Sequence, residues 1–142
     1  WKTIFPDNPY FVREQDADGP NALLNYGYAI LRAVVARALV GSGLLPTLGI
    51  HHHNRYNAYC LADDIMEPYR PYVDKLVTEL LDEDATGELN AKVKVKLLNI
   101  PVIEVVINGR RSPLMIAVSQ TTTSLVKCFR GESRRLAYPE MQ

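Results

Sequence analysis

Three histidines stand side by side at positions 51–53, shortly before a segment that carries the carboxylates Asp64 and Glu67. On a helix, two residues three positions apart point to the same side, so both carboxylates would face the turn that holds the histidines. An imidazole with two carboxylates, and no cysteine in register, favours Mn²⁺ or Mg²⁺ over a zinc site built on thiolates. The pattern indicates a divalent-metal site, and the competing interpretation is an exposed turn followed by an acidic helix.

Two prolines follow these acids at a fixed interval. Pro68 has no N–H to donate to the carbonyl of Asp64, and Pro71 has none for the carbonyl of Glu67. A proline inside a helix costs about 3 kcal/mol, so the pair indicates either a local shape held for function or a harmless kink in a surface helix. Asp63 points about a quarter turn away, and we place it outside the ligand set.

The elements that must position this site are predicted to be helices. Apolar residues recur on nearly every side of a helix from Pro20 to Gly41, which predicts a central helix with several packed neighbours. A second helix is predicted from about Asn57 to Leu80, with one buried stripe and an interruption at the two prolines. The histidines fall in the turn between these two helices.

The rest of the chain predicts two further helices and one small hairpin. A helix is expected to begin near Gly87, and another to run from Pro113 to Gly131, because glycine commonly ends helices. Between them, an Asn-Gly pair separates short apolar runs and predicts a β-hairpin near residues 102–111. The predicted fold class is mainly α.

The composition is that of an ordinary globular domain, not of a disordered or membrane protein. The 142 residues are 47% hydrophobic, with 16 Lys plus Arg against 16 Asp plus Glu, so net charge by itself predicts no nucleic-acid partner. The most apolar region, residues 26–50, is interrupted by arginines, glycines and a proline, which argues against a membrane span. Cys60 and Cys128 lie far apart, and we expect two small core residues without a disulfide, in a reducing cytoplasm.

Charge is unevenly distributed along the chain. Residues 74–88 are mostly acidic, whereas the later half is basic, and this pattern predicts either a basic face or solvated helix surfaces. The basic residues of the later half are Lys92, Lys94, Lys96, Arg110, Arg111, Lys127, Arg130, Arg134 and Arg135.

Two segments, "NALLNYGYAIL" and "LADDIMEPYRP", carry a family resemblance. Together they resemble the CRISPR-associated integrase, the endonuclease that inserts new spacers into a CRISPR array, in the form found in type II systems. The resemblance spans nearly the whole chain and implies that residues 1–142 form the helical C-terminal catalytic domain. It also implies that an N-terminal β-rich domain and a glutamate ligand on an upstream helix are absent.

The resemblance implies a set of metal ligands. The family's metal-binding histidine corresponds to His52, and its second acidic ligand corresponds to Glu67, with Asp64 as the acid beside it. His51 and His53 depart from the family pattern, so the choice among neighbouring imidazoles stays open.

The resemblance also implies a reaction and its partners. The 3′-hydroxyl of a spacer precursor attacks a phosphodiester of the array with the help of Mn²⁺ or Mg²⁺, and the same site can nick DNA. Arg13, Arg55 and Arg70 flank the ligands as candidate phosphate contacts, although Arg70 is equally a candidate partner for Glu67 or Asp74. The implied partners are DNA, a second copy of the chain in a homodimer, and a small partner protein.

Two other classes of function stay open. A different divalent-metal nuclease would share the ligands and cut DNA with water, whereas a helical DNA-binding or dimerisation module would not need them. Because one acidic ligand is expected outside the sequence, we predict that residues 1–142 alone fold but are catalytically inactive.

Overall fold

The protein is described by a computed structural model that covers residues 19–46 and 60–141. Within these residues, helices dominate and a small sheet follows the fourth of them. The helices are α1 (Pro20–Gly41), α2 (Cys60–Met66), α3 (Arg70–Glu83), α4 (Ala91–Leu97) and α5 (Leu114–Phe129), with 3₁₀ turns at Glu67–Tyr69 and Ile100–Val102. The strands are β1 (Glu104–Ile107), β2 (Arg110–Pro113) and β3 (Pro139–Glu140), in the order β2-β1-β3.

Helix α1 is the centre of the packing. Leu24, Leu31, Val35 and Leu39 are fully buried, and α1 contacts α2, α3, α4, α5 and the 3₁₀ turn at Ile100. The prediction of a central helix is therefore confirmed. By length and composition α1 is also apolar enough to cross a membrane, contrary to the expectation from its interrupted sequence, but its leucines are buried against neighbouring elements of the same chain.

Helices α1 and α3 approach each other closely at Gly27. A methyl group added at Gly27 would lie 2.7 Å from Cγ1 of Val73 on α3 and 3.4 Å from Cδ1 of Ile100. Val73 and Ile100 are themselves fully buried. Only a residue without a side chain therefore lets the two helices reach this separation.

The second predicted helix is broken where the prolines predicted an interruption. Helix α2 ends at Met66, a single 3₁₀ turn holds Pro68, and α3 starts at Arg70 with Pro71 in its first turn. Proline is tolerated in the first turn of a helix because the N–H at that position has no helical partner. The predicted start near Asn57 lies outside the described residues.

Helix α4 begins later than the sequence suggested. It starts at Ala91 and not near Gly87, because Asn90 caps it by accepting a hydrogen bond of 2.9 Å from the backbone N–H of Val93. The hairpin is confirmed, with Asn108 and Gly109 at φ 53° and 71° in the tight turn between β1 and β2. Strand β3 was not predicted, and it pairs with the other edge of β1.

Helix α5 lies within its predicted bounds and closes the core against α1. Its last residue, Phe129, was expected on the buried side and is instead 61% exposed, because it stands at the end of the helix. Its buried residues include Leu114, Val118 and Leu125, which the apolar spacing selected, and also Thr121 and Thr122. Cys128, which was expected in the core, is only half-buried, with its Sγ 3.5 Å from the carbonyl oxygen of Arg135 near the end of the helix. The side chain of Cys60 lies outside the described part of the protein.

Substituting Gly27 with Ala should destabilise the protein by about 1–3 kcal/mol, because the new methyl group overpacks the contact with Val73. Chemical denaturation at neutral pH measures this change. Ala33→Gly is the matched control, since Ala33 lies on the exposed side of the same helix and should cost only the helix propensity of about 1 kcal/mol. Unchanged stability of Gly27→Ala would show that the two helices are not held at this separation.

Candidate metal and DNA site

Glu67 lies where the α-helical hydrogen-bond pattern is interrupted between α2 and α3. It is the first residue of the 3₁₀ turn, and its side chain is 53% exposed. Asp64 lies three residues earlier on α2 and is half-buried. The structure thus places two predicted site residues on adjoining elements, whereas His52, Arg13 and Arg55 lie outside the described residues.

The backbone at Glu67 is satisfied in spite of Pro71. The N–H of Arg70 donates to the carbonyl oxygen of Glu67, which is the shorter bond of a 3₁₀ turn. Pro71 could not have donated to that carbonyl in an α-helix. The two prolines therefore replace one α-helical turn by a tighter turn, and Glu67 stands at its first position.

Arg70 lies against Glu67 and stacks over Tyr28. Its Nε is 3.0 Å from Oε1 of Glu67, and its Cζ lies 5.0 Å from the centre of the Tyr28 ring. Asp74 accepts a hydrogen bond from the hydroxyl of Tyr28. Of the two carboxylate partners predicted for Arg70, the structure shows a direct ion pair with Glu67.

The contact between Arg70 and Glu67 is close but poorly directed. Nε of Arg70 is buried, and although Oε1 is within ion-pair distance, the N–H does not point at that oxygen and has no hydrogen-bond partner among the described residues. Charge attraction and ring stacking therefore hold the guanidinium, rather than a linear hydrogen bond.

Asp63 ties α2 to α1. It is only 5% exposed, and its Oδ1 lies 3.1 Å from Nε and 3.0 Å from Nη2 of Arg32. A carboxylate at this depth needs such a partner to offset its loss of hydration. Sequence reasoning set Asp63 apart from the ligands but did not find Arg32, whose only signal was a charged residue in a largely apolar helix.

Tyr69 anchors the same turn in the core. Its hydroxyl lies 2.6 Å from Oγ1 of Thr121 on α5, and Thr121 in turn donates to the carbonyl of Ala137 at 2.7 Å. Burial raises the pKa of Tyr69 to about 12, although the hydrogen bond with Thr121 opposes the increase. Two residues after the exposed Glu67, the turn is thus fixed by a fully buried phenol.

The carboxylates alone do not make a complete metal site. Among residues 19–46 and 60–141, no group of three His, Cys, Asp or Glu side chains could hold a metal ion. Oxygen donors such as those of Asp64 and Glu67 suit a hard cation, but a further ligand is needed. The predicted imidazole belongs to the part of the chain that the structure does not describe.

The predicted basic residues are partly neutralised. Lys96 pairs with Glu83 across α4 and α3, and Arg111 lies 3.4 Å from Glu104 on the hairpin. The exposed cations at the end of α5 and just beyond it are Lys127, Arg130, Arg134 and Arg135. No ion pair is recorded for these four residues among the described parts of the chain, so they are the candidates for a basic face.

Residues 6–97 match the family model described as CRISPR associated protein Cas1. The chain belongs to the Cas1 family. The matched range covers more than half of the chain and includes both segments that carried the resemblance, so the assignment from the sequence is confirmed. The mainly helical fold with a small antiparallel sheet agrees with the predicted fold class.

Cas1 relatives are similar to this chain over part of their length. "CRISPR-associated endonuclease Cas1" of Neisseria meningitidis serogroup C (strain 8013) is 36% identical over 110 residues, which cover 77% of this chain and 36% of the relative. "CRISPR-associated endonuclease Cas1 2" of Pyrobaculum aerophilum is 34% identical over 120 residues, 82% of this chain and 40% of the relative. The chain therefore spans less than half the length of these Cas1 proteins.

A solved structure shares the fold. The protein described as "Casposase bound to integration product" superposes with a TM-score of 0.72 at 22% identity, over 91% of this chain and 42% of the casposase chain. At this identity the likeness concerns the fold alone. The helical core around α1 is thus common to a Cas1 protein and a casposase.

Replacing Tyr69 with Phe should lower the free energy of unfolding at pH 7 by about 1 kcal/mol, because Thr121 loses a buried hydrogen-bond partner. The raised pKa of Tyr69 also makes the free energy of unfolding depend on pH. The phenol is protonated more tightly in the folded protein, so its stabilisation is complete below pH 10 and is lost between pH 10 and about 12.

Denaturant unfolding of both proteins from pH 7 to 12 measures the two effects. The stability of the wild type should fall more steeply above pH 10 than that of the Phe variant. Parallel curves would show that Tyr69 does not titrate differently on folding. Tyr138→Phe is the control, because Tyr138 is exposed and should change stability by less than about 0.5 kcal/mol.

Proposed function

We propose that this chain is the helical catalytic domain of a metal-dependent DNA integrase, which joins the 3′-hydroxyl of a spacer precursor to a phosphodiester of a CRISPR array and can also nick DNA. The observation that carries the proposal is the position of Glu67 and Asp64 at a proline-broken helix junction in a chain of the Cas1 family. The names of its relatives, which are endonucleases, and of the casposase, which is bound to an integration product, support DNA as the substrate.

The proposed ligands are Glu67, His52 and Asp64. A carboxylate that is half exposed at a fixed turn is accessible to a cation from solvent. Two carboxylates with one imidazole fit Mn²⁺ or Mg²⁺, and Asp64 would either complete the ligand set or orient another ligand by a hydrogen bond. The neighbours His51 and His53 are the alternatives to His52.

The contribution of the protein is mainly placement. When bound, the divalent ion would withdraw charge from a phosphate oxygen and help to ionise the attacking hydroxyl. Glu67 is held at a turn that Tyr69 fixes in the core and Asp63 ties to α1. A ligand held in this way needs little reorganisation, and reactions of this kind lose on the order of a hundredfold in rate when a group is displaced by about 1 Å.

The proposed site also needs an acidic ligand from outside residues 1–142. In the proposed complete protein, a β-rich domain and a helix with this glutamate would precede residues 1–142. Water in place of one anionic ligand would weaken both retention and geometry of a hard cation. The packed core around α1 lies within the described residues, so folding should depend on the upstream part less than metal binding does.

The proposed assembly is a homodimer that joins a small partner protein and spans DNA in the cytoplasm. Exposed apolar side chains on α4 and the turn after it, Val95, Leu98 and Val102, are 56–62% exposed and are available for a protein contact. Arg13, Arg55 and Arg70 remain the proposed phosphate contacts near the ligands. Arg134 and Arg135, which are both exposed, are further proposed DNA contacts.

Substituting Glu67 with Ala, in a form extended upstream through the missing glutamate, should reduce Mn²⁺-dependent strand joining by more than about a hundredfold. Stability should change by less than about 1 kcal/mol, because the lost carboxylate is half exposed and Arg70 keeps its contact with Tyr28. The assay follows a labelled 3′-end into a target duplex, with Glu79→Ala, another exposed glutamate, as the control.

Residues 1–142 without the extension should not join strands in the same assay. Retained joining by Glu67→Ala would remove this residue from the mechanism, and joining by residues 1–142 alone would show that no further ligand is needed. Metal-dependent cutting without joining would favour the divalent-metal nuclease, and DNA binding without any metal effect would favour the binding module.

Replacing Arg134 and Arg135 with Gln should weaken DNA binding and reduce the slope of log affinity against log salt by about one to two, because each phosphate contact releases counterions. The matched control replaces Lys75 and Lys96, two lysines that lie among carboxylates, and removes the same charge. Fluorescence anisotropy at several salt concentrations measures both variants. An unchanged affinity and slope for the arginine variant would exclude this surface from the DNA contact.

A further inference from the structure

Arg70 is held from two sides near the surface of the protein. Its guanidinium stacks over the ring of Tyr28 on α1 and lies against the carboxylate of Glu67, and only 29% of the side chain is exposed. A planar guanidinium over an aromatic ring loses orientational freedom, which an extended lysine would retain. Arg70 is therefore fixed in space relative to α1 as well as to its own turn.

The ring under Arg70 is fixed as well. Tyr28 is only 9% exposed, and its hydroxyl donates to Asp74 on α3. At its neighbour Gly27, α1 leaves no room for a side chain against Val73 on α3. The platform for the guanidinium is thus built by two helices that pack closely on each other in the core.

The main chain and the side chain of Arg70 both act on Glu67. The backbone N–H of Arg70 donates to the carbonyl oxygen of Glu67, while Nε lies 3.0 Å from its Oε1. Arg70 therefore contacts Glu67 both at its main-chain carbonyl and at its carboxylate. Because the N–H at Nε is not directed at Oε1, the carboxylate is located by the guanidinium but is not saturated by a linear hydrogen bond.

We propose that Arg70 is a positioning residue for the metal ligand Glu67, and that Tyr28 and Asp74 hold Arg70 in place for this task. The inference rests on the proposed function, in which Glu67 binds a divalent cation. The protein groups that hold a ligating carboxylate typically affect metal affinity by about 10–100-fold when they are lost. This role is separate from the phosphate contact proposed for Arg70, and a titration without DNA tests the positioning role alone.

Whether removal of Arg70 lowers or raises metal affinity distinguishes a positioning role from a purely electrostatic effect of its charge. A guanidinium near a cation site repels the cation, so removing the charge should raise metal affinity if electrostatics alone mattered. If Arg70 positions Glu67, removing it should lower metal affinity in spite of the relieved repulsion. Lysine keeps the charge but not the planar stacking group, so Arg70→Lys should not rescue the site.

The experiment measures Mn²⁺ affinity by isothermal titration calorimetry on the upstream-extended protein, without DNA and without turnover. Arg70→Gln and Arg70→Lys should each bind Mn²⁺ about tenfold more weakly than wild type. Arg111→Gln is the matched control, because Arg111 also faces a carboxylate, Glu104, on an exposed surface, and it should leave the affinity unchanged. Thermal unfolding of each variant checks that the fold is retained.

Tyr28→Phe provides a second route if either Arg70 variant fails to fold. It keeps the ring under the guanidinium and removes only the hydroxyl that anchors the ring to Asp74, so it should lower Mn²⁺ affinity in the same direction by a smaller factor. An unchanged or increased affinity in Arg70→Gln, or in Tyr28→Phe where Arg70→Gln is unfolded, would overturn the positioning role.

Glu67→Ala in the same titration separates this inference from the proposed function. Strongly weakened binding by Glu67→Ala, together with weakened binding by the Arg70 variants, supports both. If Glu67→Ala binds Mn²⁺ as well as wild type, the ligand assignment itself is wrong, whatever Arg70 does. If only Glu67→Ala weakens binding, the ligand assignment stands and the positioning role of Arg70 is rejected.

Discussion

The contact between α1 and α3 at Gly27 is the constraint on which the rest of the structure depends. It brings the backbone of α1 to the side chains of Val73 on α3 and of Ile100. Tyr28, one residue later, then reaches Asp74, and its ring supports Arg70. The lack of a side chain at Gly27 thus helps to determine where the Tyr28 ring lies beneath Arg70.

The same region combines a buried anchor with an exposed functional group. Two prolines prevent an α-helix from continuing through the turn, and the 3₁₀ bond from Arg70 to Glu67 satisfies the backbone that they leave. Tyr69 points into the core and bonds to Thr121, whereas Glu67 points toward solvent. Packing offsets the cost of the broken helix. The result is an exposed carboxylate on a turn whose backbone is fixed by the hydrogen bond from Arg70 and by the buried Tyr69.

Local patterns were sufficient to predict most elements of the fold. The apolar stripe of α5, the central position of α1 and the Asn-Gly hairpin all follow from periodicity or turn chemistry, which act over a few residues. Strand β3 was missed because two residues carry no periodic signal, and α4 was placed too early because its cap at Asn90 was not recognised. Asp64 and Glu67 could be selected from their helical spacing, and the pair of Arg70 with Glu67 was one of two that the sequence predicted. The contacts that fix the turn between α2 and α3 could not be predicted. Arg32 with Asp63 and Tyr69 with Thr121 are separated by 31 and 52 positions, so each pairing depends on the packed fold and not on the local sequence.

The central claim is that the turn at Glu67 holds a divalent cation together with an imidazole of the preceding segment. The most direct test is a crystal structure of the upstream-extended protein with Mn²⁺, using anomalous scattering at the manganese absorption edge to locate the ion. The account predicts one strong anomalous peak within bonding distance of the carboxylate of Glu67 and the imidazole of His52, with Arg70 still stacked on Tyr28. An anomalous peak bound elsewhere, or none at a concentration that supports strand joining, would contradict it.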